Sequence, residues 1–164
     1  MKILLLLRHA KSSWKDESLS DFERPLNAKG KKAAHAIGLY IRKHRMMPDL
    51  VLSSPAVRAR ETTGIVATAA RLAADIRYDE RIYEANPLQL LHTISQIEEN
   101  FGSVLLVGHN PGIEELLGLL TGSLQHMRTA TLAKIRLEGA DDWSEISEAK
   151  ATLELTIKPK DITE

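Results

Sequence analysis

Two histidines a hundred positions apart each end a short apolar run, Leu4-Leu5-Leu6-Leu7-Arg8-His9 and Val104-Leu105-Leu106-Val107-Gly108-His109. Each run has the length of a buried strand and turns polar where such a strand would leave the core. In an open α/β sheet, ligands bind beyond the carboxyl ends of the parallel strands. Two imidazoles delivered to that edge suggest a catalytic pair. Arg8 adjoins the first, and Arg58 follows another short apolar run. Arginine forks match phosphate geometry in a way that lysine does not. Arg58 sits one turn into a helix begun by Ser54-Pro55, and helical side chains lean back toward the N-terminus, so its guanidinium can reach the rim. His109 precedes a second helix start, where free N–H groups and the helix dipole favour an anion. These residue types at these places point to a pocket for a phosphate-like group.

The elements that must position them read as an alternation. Strand-like runs lie at 2–7, 49–53, 75–78 and 103–107. Asn27 caps a helix with Ala33, Ile37, Tyr40 and Ile41 on one face. Ser54 is the expected N-cap of the next, with Pro55 at its first position and Ile65, Ala69 and Leu72 as its apolar stripe. A third helix starts near Pro87 and turns Leu90, Ile94 and Ile97 inward, and a fourth follows Asn110-Pro111. Strand and helix in turn imply a mainly parallel sheet covered on both faces. Residues 130–137 and 150–157 alternate like half-exposed strands, joined by a polar, acidic stretch from Glu138 to Glu148. The expected fold is a three-layer α/β/α sandwich with an antiparallel hairpin at one sheet edge. Right-handed crossovers would bring Arg8, His9, Arg58, Glu84 and His109 to one rim.

Composition narrows the possibilities. A length of 164 residues fits one domain over 1–164 with a core of its own. Lysine plus arginine equals aspartate plus glutamate, 22 of each, which argues against a broad nucleic-acid surface. The chain has no cysteine, so disulfides, thiol catalysis and thiolate metal sites are excluded. The apolar stretch at the start is too short for a secretion signal, and no run reaches membrane-spanning length. A cytoplasmic protein is expected.

Three blocks carry a family resemblance. Arg8-His9-Ala10-Lys11, Ser53-Ser54-Pro55-Ala56-Val57-Arg58-Ala59-Arg60-Glu61-Thr62 and Gly108-His109-Asn110-Pro111 resemble the signature blocks of the histidine phosphatase superfamily, the phosphoglycerate mutase-like proteins. The segment from Asp21 to Gly30, the small size and the Arg-His-Ala-Lys-Ser start are most similar to the SixA-type phosphohistidine phosphatase branch. The resemblance spans roughly residues 1–125. It implies that His9 is a nucleophile that becomes a phosphohistidine, and that Arg8, Arg58 and His109 hold the phosphoryl oxygens until water hydrolyses the intermediate. Such chemistry suits a neutral imidazole and positioned cations, with no metal or cofactor. Ala10 departs from the family's usual glycine and adds a methyl where backbone nears phosphate.

The remaining assignments are less specific. Glu84, after the third strand, matches loosely a carboxylate that larger members use as general acid; Asp16 and Asp21 are its rivals. Arg24 could touch substrate or order the loop before the Asn27 helix. Arg58 could instead pair with Glu61 one turn on. Arg60, Lys29, Lys31, Lys32 and His35, His44, His92 and His126 read as solvated or packed residues. The expected partner is a phosphorylated substrate, foremost a histidine-phosphotransfer protein. A phosphatase of small phosphomonoesters is the first alternative, and a non-catalytic phosphate-binding module a second.

Overall fold

The computed structural model describes residues 1–162. Its elements are β1 (Lys2–Arg8), α1 (Ala28–Lys43), β2 (Leu50–Ser53), α2 (Val57–Ala70), β3 (Asp75–Tyr78), α3 (Pro87–Ser95), β4 (Ser103–Gly108), α4 (Gly112–Thr121), β5 (Leu132–Glu138) and β6 (Lys150–Ile157). All six strands form one sheet in the order β3-β2-β4-β1-β5-β6. The first four are parallel, and β5 and β6 add the antiparallel edge. This is the mainly parallel α/β architecture expected from the alternation of strands and helices.

Leu4 to Leu7 and Val104 to Val107 are buried throughout because the central strands are covered on both faces. One core lies against α3 and α4, the other against α1 and α2. The register fixes the rim. Arg8 stands opposite Gly108 in the β1–β4 pair, and Ser53 opposite Val107 in the β2–β4 pair. Three neighbouring strands therefore end together, and His9, Ser54 and His109 leave them side by side.

Several local readings need correction. The helix after Ser54-Pro55 starts at Val57, with Ala56 in the cap position and no side-chain cap. Ser54 Oγ is drawn away to His109 and also accepts the Ala56 N–H. α4 starts at Gly112, after a cis Asn110–Pro111 peptide. The Asn110 amide donates to Met127 O and Glu114 instead of capping. α2 buries Ala59, Thr62, Thr63, Val66 and Ala70 together with Ala69 of the expected stripe, while Ile65 and Leu72 lie at its margin. Small residues face inward there because α1 packs close: a Cβ on Gly38 would stand 2.6 Å from Ala69 Cβ. The acidic stretch 138–148 is not wholly a polar connector. It holds a 3-10 helix, Trp143–Glu148, that buries Trp143 and Ile146. The Trp143 indole N–H donates to Phe101 O, so its polar edge is satisfied inside the core.

Candidate active site

The loop between β1 and α1 is held by contacts that the helices supply. Asn27 caps α1 by accepting the Gly30 N–H at 2.8 Å, and its own N–H bonds Lys11 O. A Cβ on Gly30 would stand 2.1 Å from Lys11 O, so only glycine lets the helix start approach this loop. Glu61 of α2 accepts the Leu26 N–H at 2.9 Å, a different partner from the Arg58 of the alternative reading. Thr62 donates to Arg58 O at 2.7 Å and accepts the Ala10 N–H at 3.0 Å. This hydroxyl ties the backbone beside His9 to the turn of α2 that carries Arg58.

His9 is buried at the centre of the rim. Its Nδ1 lies 2.7 Å from Ala10 O, a carbonyl that can only accept, so Nδ1 carries the proton. The lone pair is then on Nε2, toward which Arg58 Nε–H points at 3.4 Å. Burial holds the His9 imidazole well below the usual histidine range, at about 4, and Arg58, Arg8 and Arg24 push the same way. The ring is neutral at physiological pH.

His109 lies beside it, ring centroids 5.0 Å apart. Burial, with His9 and Arg58, lowers it to about 3. Its Nε2 meets Ser54 Oγ at 2.7 Å. Ser54 Oγ accepts the Ala56 N–H and has no acceptor other than His109 Nε2 among the described residues, so its hydroxyl donates to that ring nitrogen. That leaves the proton on His109 Nδ1, which has no partner among the described residues. Arg8 donates through Nη1 to Met127 O at 3.1 Å, and its buried Nε is also unpartnered among them. Arg8, His9, Arg24, Arg58 and His109 line one hollow of about 390 Å³. Arg8 and His109, which carry these unpartnered donors, thus line the same hollow as His9.

The remaining predicted residues divide. Arg24 is buried, with its guanidinium 3.5 Å from the centre of the Trp14 ring and bonded to Ser12 Oγ at 2.6 Å. It both orders the loop and lines the hollow. Glu84 is exposed, in left-handed backbone at φ 55°, and lines an adjoining hollow with Asp21, Tyr83 and Arg58. β3, which leads to it, is the far edge strand and pairs only with β2. Asp16 is exposed and bonds Ser18. Asp21 is the carboxylate at the arginines: its Oδ2 accepts from Arg58 Nη2 at 3.0 Å and from the Tyr83 hydroxyl at 2.7 Å. Tyr83, Arg58 and Arg24 hold it well below the usual carboxylate range, at about 2. Among the described residues, no three His, Cys, Asp or Glu side chains gather as a metal-ligand cluster.

Comparison with known proteins adds the family. The model described as histidine phosphatase superfamily (branch 1) matches residues 4–103. The chain belongs to the histidine phosphatase superfamily. An uncharacterised protein of Mycobacterium tuberculosis is 32% identical over 161 residues, covering 90% of this chain and 96% of that one. The crystal structure of a protein assigned as the phosphohistidine phosphatase SixA of Agrobacterium tumefaciens is 31% identical, with TM-score 0.83 over 96% of this chain and 98% of that one. The protein histidine phosphatase SixA complexed with tungstate shares the fold at 18% identity, with TM-score 0.82 over 96% and 97% of the two chains.

Ala10, which stands where the superfamily commonly has glycine, is fully buried. It belongs to the core cluster under α1 and α2 and is absent from the residues lining the hollow. Sequence reasoning passed over Tyr83, Thr62 and Trp14, and took Ser54 only as a cap. Tyr83 offered one signal, its place beside Glu84. The rest are ordinary helix or loop residues until the tertiary contacts are made.

Proposed function

We propose that this chain is a phosphatase that works through a phosphohistidine formed on its own His9, and that its substrate is a phosphohistidine on a phosphotransfer protein. The observation that carries the reading is the His9 tautomer. Ala10 O fixes the proton on Nδ1 and leaves Nε2 nucleophilic beside the Arg58 guanidinium. His9 attacks phosphorus in line, while Arg8, Arg58 and the His109 Nδ1–H hold the equatorial oxygens, where charge concentrates. Water then cleaves the P–Nε2 bond and releases phosphate.

The leaving group favours phosphohistidine. An alkoxide must receive a proton as it departs, whereas an imidazole protonated on its other nitrogen leaves neutral. Asp21 is held ionised by its donors, and Glu84 is exposed in the adjoining hollow. Neither is set beside the His9 lone pair as a proton donor. The similarity to the Agrobacterium tumefaciens SixA supports the same substrate class.

The test is hydrolysis of a phosphorylated histidine-phosphotransfer domain and of p-nitrophenyl phosphate by the purified chain and by His9→Ala. Turnover should vanish in a His9→Ala protein with an unchanged melting curve, and wild-type turnover should persist in EDTA. Near wild-type activity of the variant refutes the nucleophile. Turnover of small phosphate esters with none of the phosphoprotein refutes the substrate class.

A further inference from the structure

The two edges of the Arg58 guanidinium face different partners. Nε points inward to His9 Nε2. The outer edge is taken by one residue: Nη1 donates to Asp21 O at 2.7 Å and Nη2 to Asp21 Oδ2 at 3.0 Å. Tyr83 donates its hydroxyl to the same Oδ2, and Arg24 donates to Oδ1 through Nη2 at 3.2 Å and Nε at 3.4 Å. The Asp21 side chain is nevertheless 48% exposed. A carboxylate fixed by three neighbours and open to solvent thus caps the outer side of a phosphate-binding arginine. Such a group repels a dianionic ester bearing an anionic leaving group. It attracts a leaving group that carries positive charge.

We propose that Asp21 determines leaving-group specificity: its carboxylate accepts a hydrogen bond from the distal ring N–H of the phosphohistidine substrate. This rests on the phosphohistidine reading above. In-line transfer places the leaving group across phosphorus from His9, and the outer edge of Arg58, with Asp21 and Tyr83, lies on the side away from His9. The substrate's P–N bond breaks as the bond from phosphorus to His9 Nε2 forms. The bonding pair stays on the substrate ring, which departs as neutral imidazole and keeps its distal proton. His9 retains its own proton on Nδ1 against Ala10 O and becomes the cationic phosphoimidazole. Asp21 exchanges no proton; it stabilises the positive ring before and during transfer. Tyr83 keeps the carboxylate turned outward, and its hydroxyl stays protonated, since burial and the bond to Asp21 push it up to about 12.

Asp21 also braces Arg58, so the test must separate specificity from positioning. The measurement is kcat/KM for free phosphohistidine and for p-nitrophenyl phosphate, with wild type, Asp21→Asn and Tyr83→Phe. Asp21→Asn should lower phosphohistidine turnover about ten- to hundredfold, the range of a hydrogen bond to a charged group. Turnover of the aryl ester, whose phenolate gains nothing from the carboxylate, should hold or rise. Tyr83→Phe, which leaves the Arg58 pair intact, should show the same selectivity to a smaller degree, and it carries the test if Asp21→Asn fails to fold. An equal fall on both substrates makes Asp21 a brace for Arg58 and overturns the proposal, as does no change on either. A wild type inactive on phosphohistidine overturns the underlying substrate reading instead.

Discussion

Burying two neutral imidazoles at the phosphate rim should cost this protein stability in mild acid. An unfolded histidine titrates near pH 6.5. In the folded chain, burial brings His9 to about 4 and His109 to about 3. Below about pH 6.5 the unfolded chain takes up protons that the folded chain refuses, so this contribution is fully present above that pH and lost as pH falls toward 4. At pH 5 each ring costs about 2 kcal/mol relative to pH 7.5, hence about 4 kcal/mol for the pair, since neither is charged in the folded state. With a urea slope of about 2 kcal/mol/M, the unfolding midpoint should drop by about 2 M. Asp21 does not intrude: its contribution is lost as pH falls from the unfolded carboxylate value near 4 toward about 2, an interval that lies below the pH 5 arm. The assay is urea unfolding at pH 7.5 and 5.0 in phosphate-free buffer, for wild type, His9→Asn and His109→Asn. Each variant should lose about half of the pH dependence, while the exposed His35, His44, His92 and His126 remain as a common background. A wild-type midpoint that moves by less than about 0.5 M, or variants that keep the full dependence, would refute the buried neutral pair.

The same rim predicts anion binding. Tungstate or vanadate at about a hundred times its dissociation constant should stabilise the fold by about 2.7 kcal/mol, and Arg58→Ala should remove most of the melting shift; an equal shift in the variant places the anion elsewhere. Gly30→Ala should destabilise by about 1–3 kcal/mol or more, because its methyl meets Lys11 O, and should also slow turnover through the β1–α1 loop; a neutral melt would show that the loop yields. Glu84→Gln should change kcat/KM by less than about threefold on aryl and alkyl phosphates alike. A loss of about a hundredfold or more confined to poor leaving groups would make Glu84 the general acid.

The rim was legible in the chain because its parts are local. Two apolar runs that end in Arg8-His9 and Gly108-His109 have the length of buried parallel strands, and the exit of such strands is where an α/β sheet presents polar residues. Asn27, glycine three residues later and the alternating tail likewise announce themselves over a few positions. The sites of the strands in the sheet were not local. That β4 lies between β1 and β2, so that His9, Ser54 and His109 adjoin, is decided by packing across fifty to a hundred residues. The same holds for Asp21, 37 positions from Arg58 and 62 from Tyr83. Nothing in the Asp21–Gly30 segment says which of its charges meets the arginines, because a loop carries no periodicity to orient it. Ser54 shows the limit most plainly. Sequence alone makes it a helix cap, since serine before proline satisfies that local rule. In the folded chain the buried His109 ring at the neighbouring strand end takes the same hydroxyl, a partner set by the long-range β2–β4 register, which no local rule encodes.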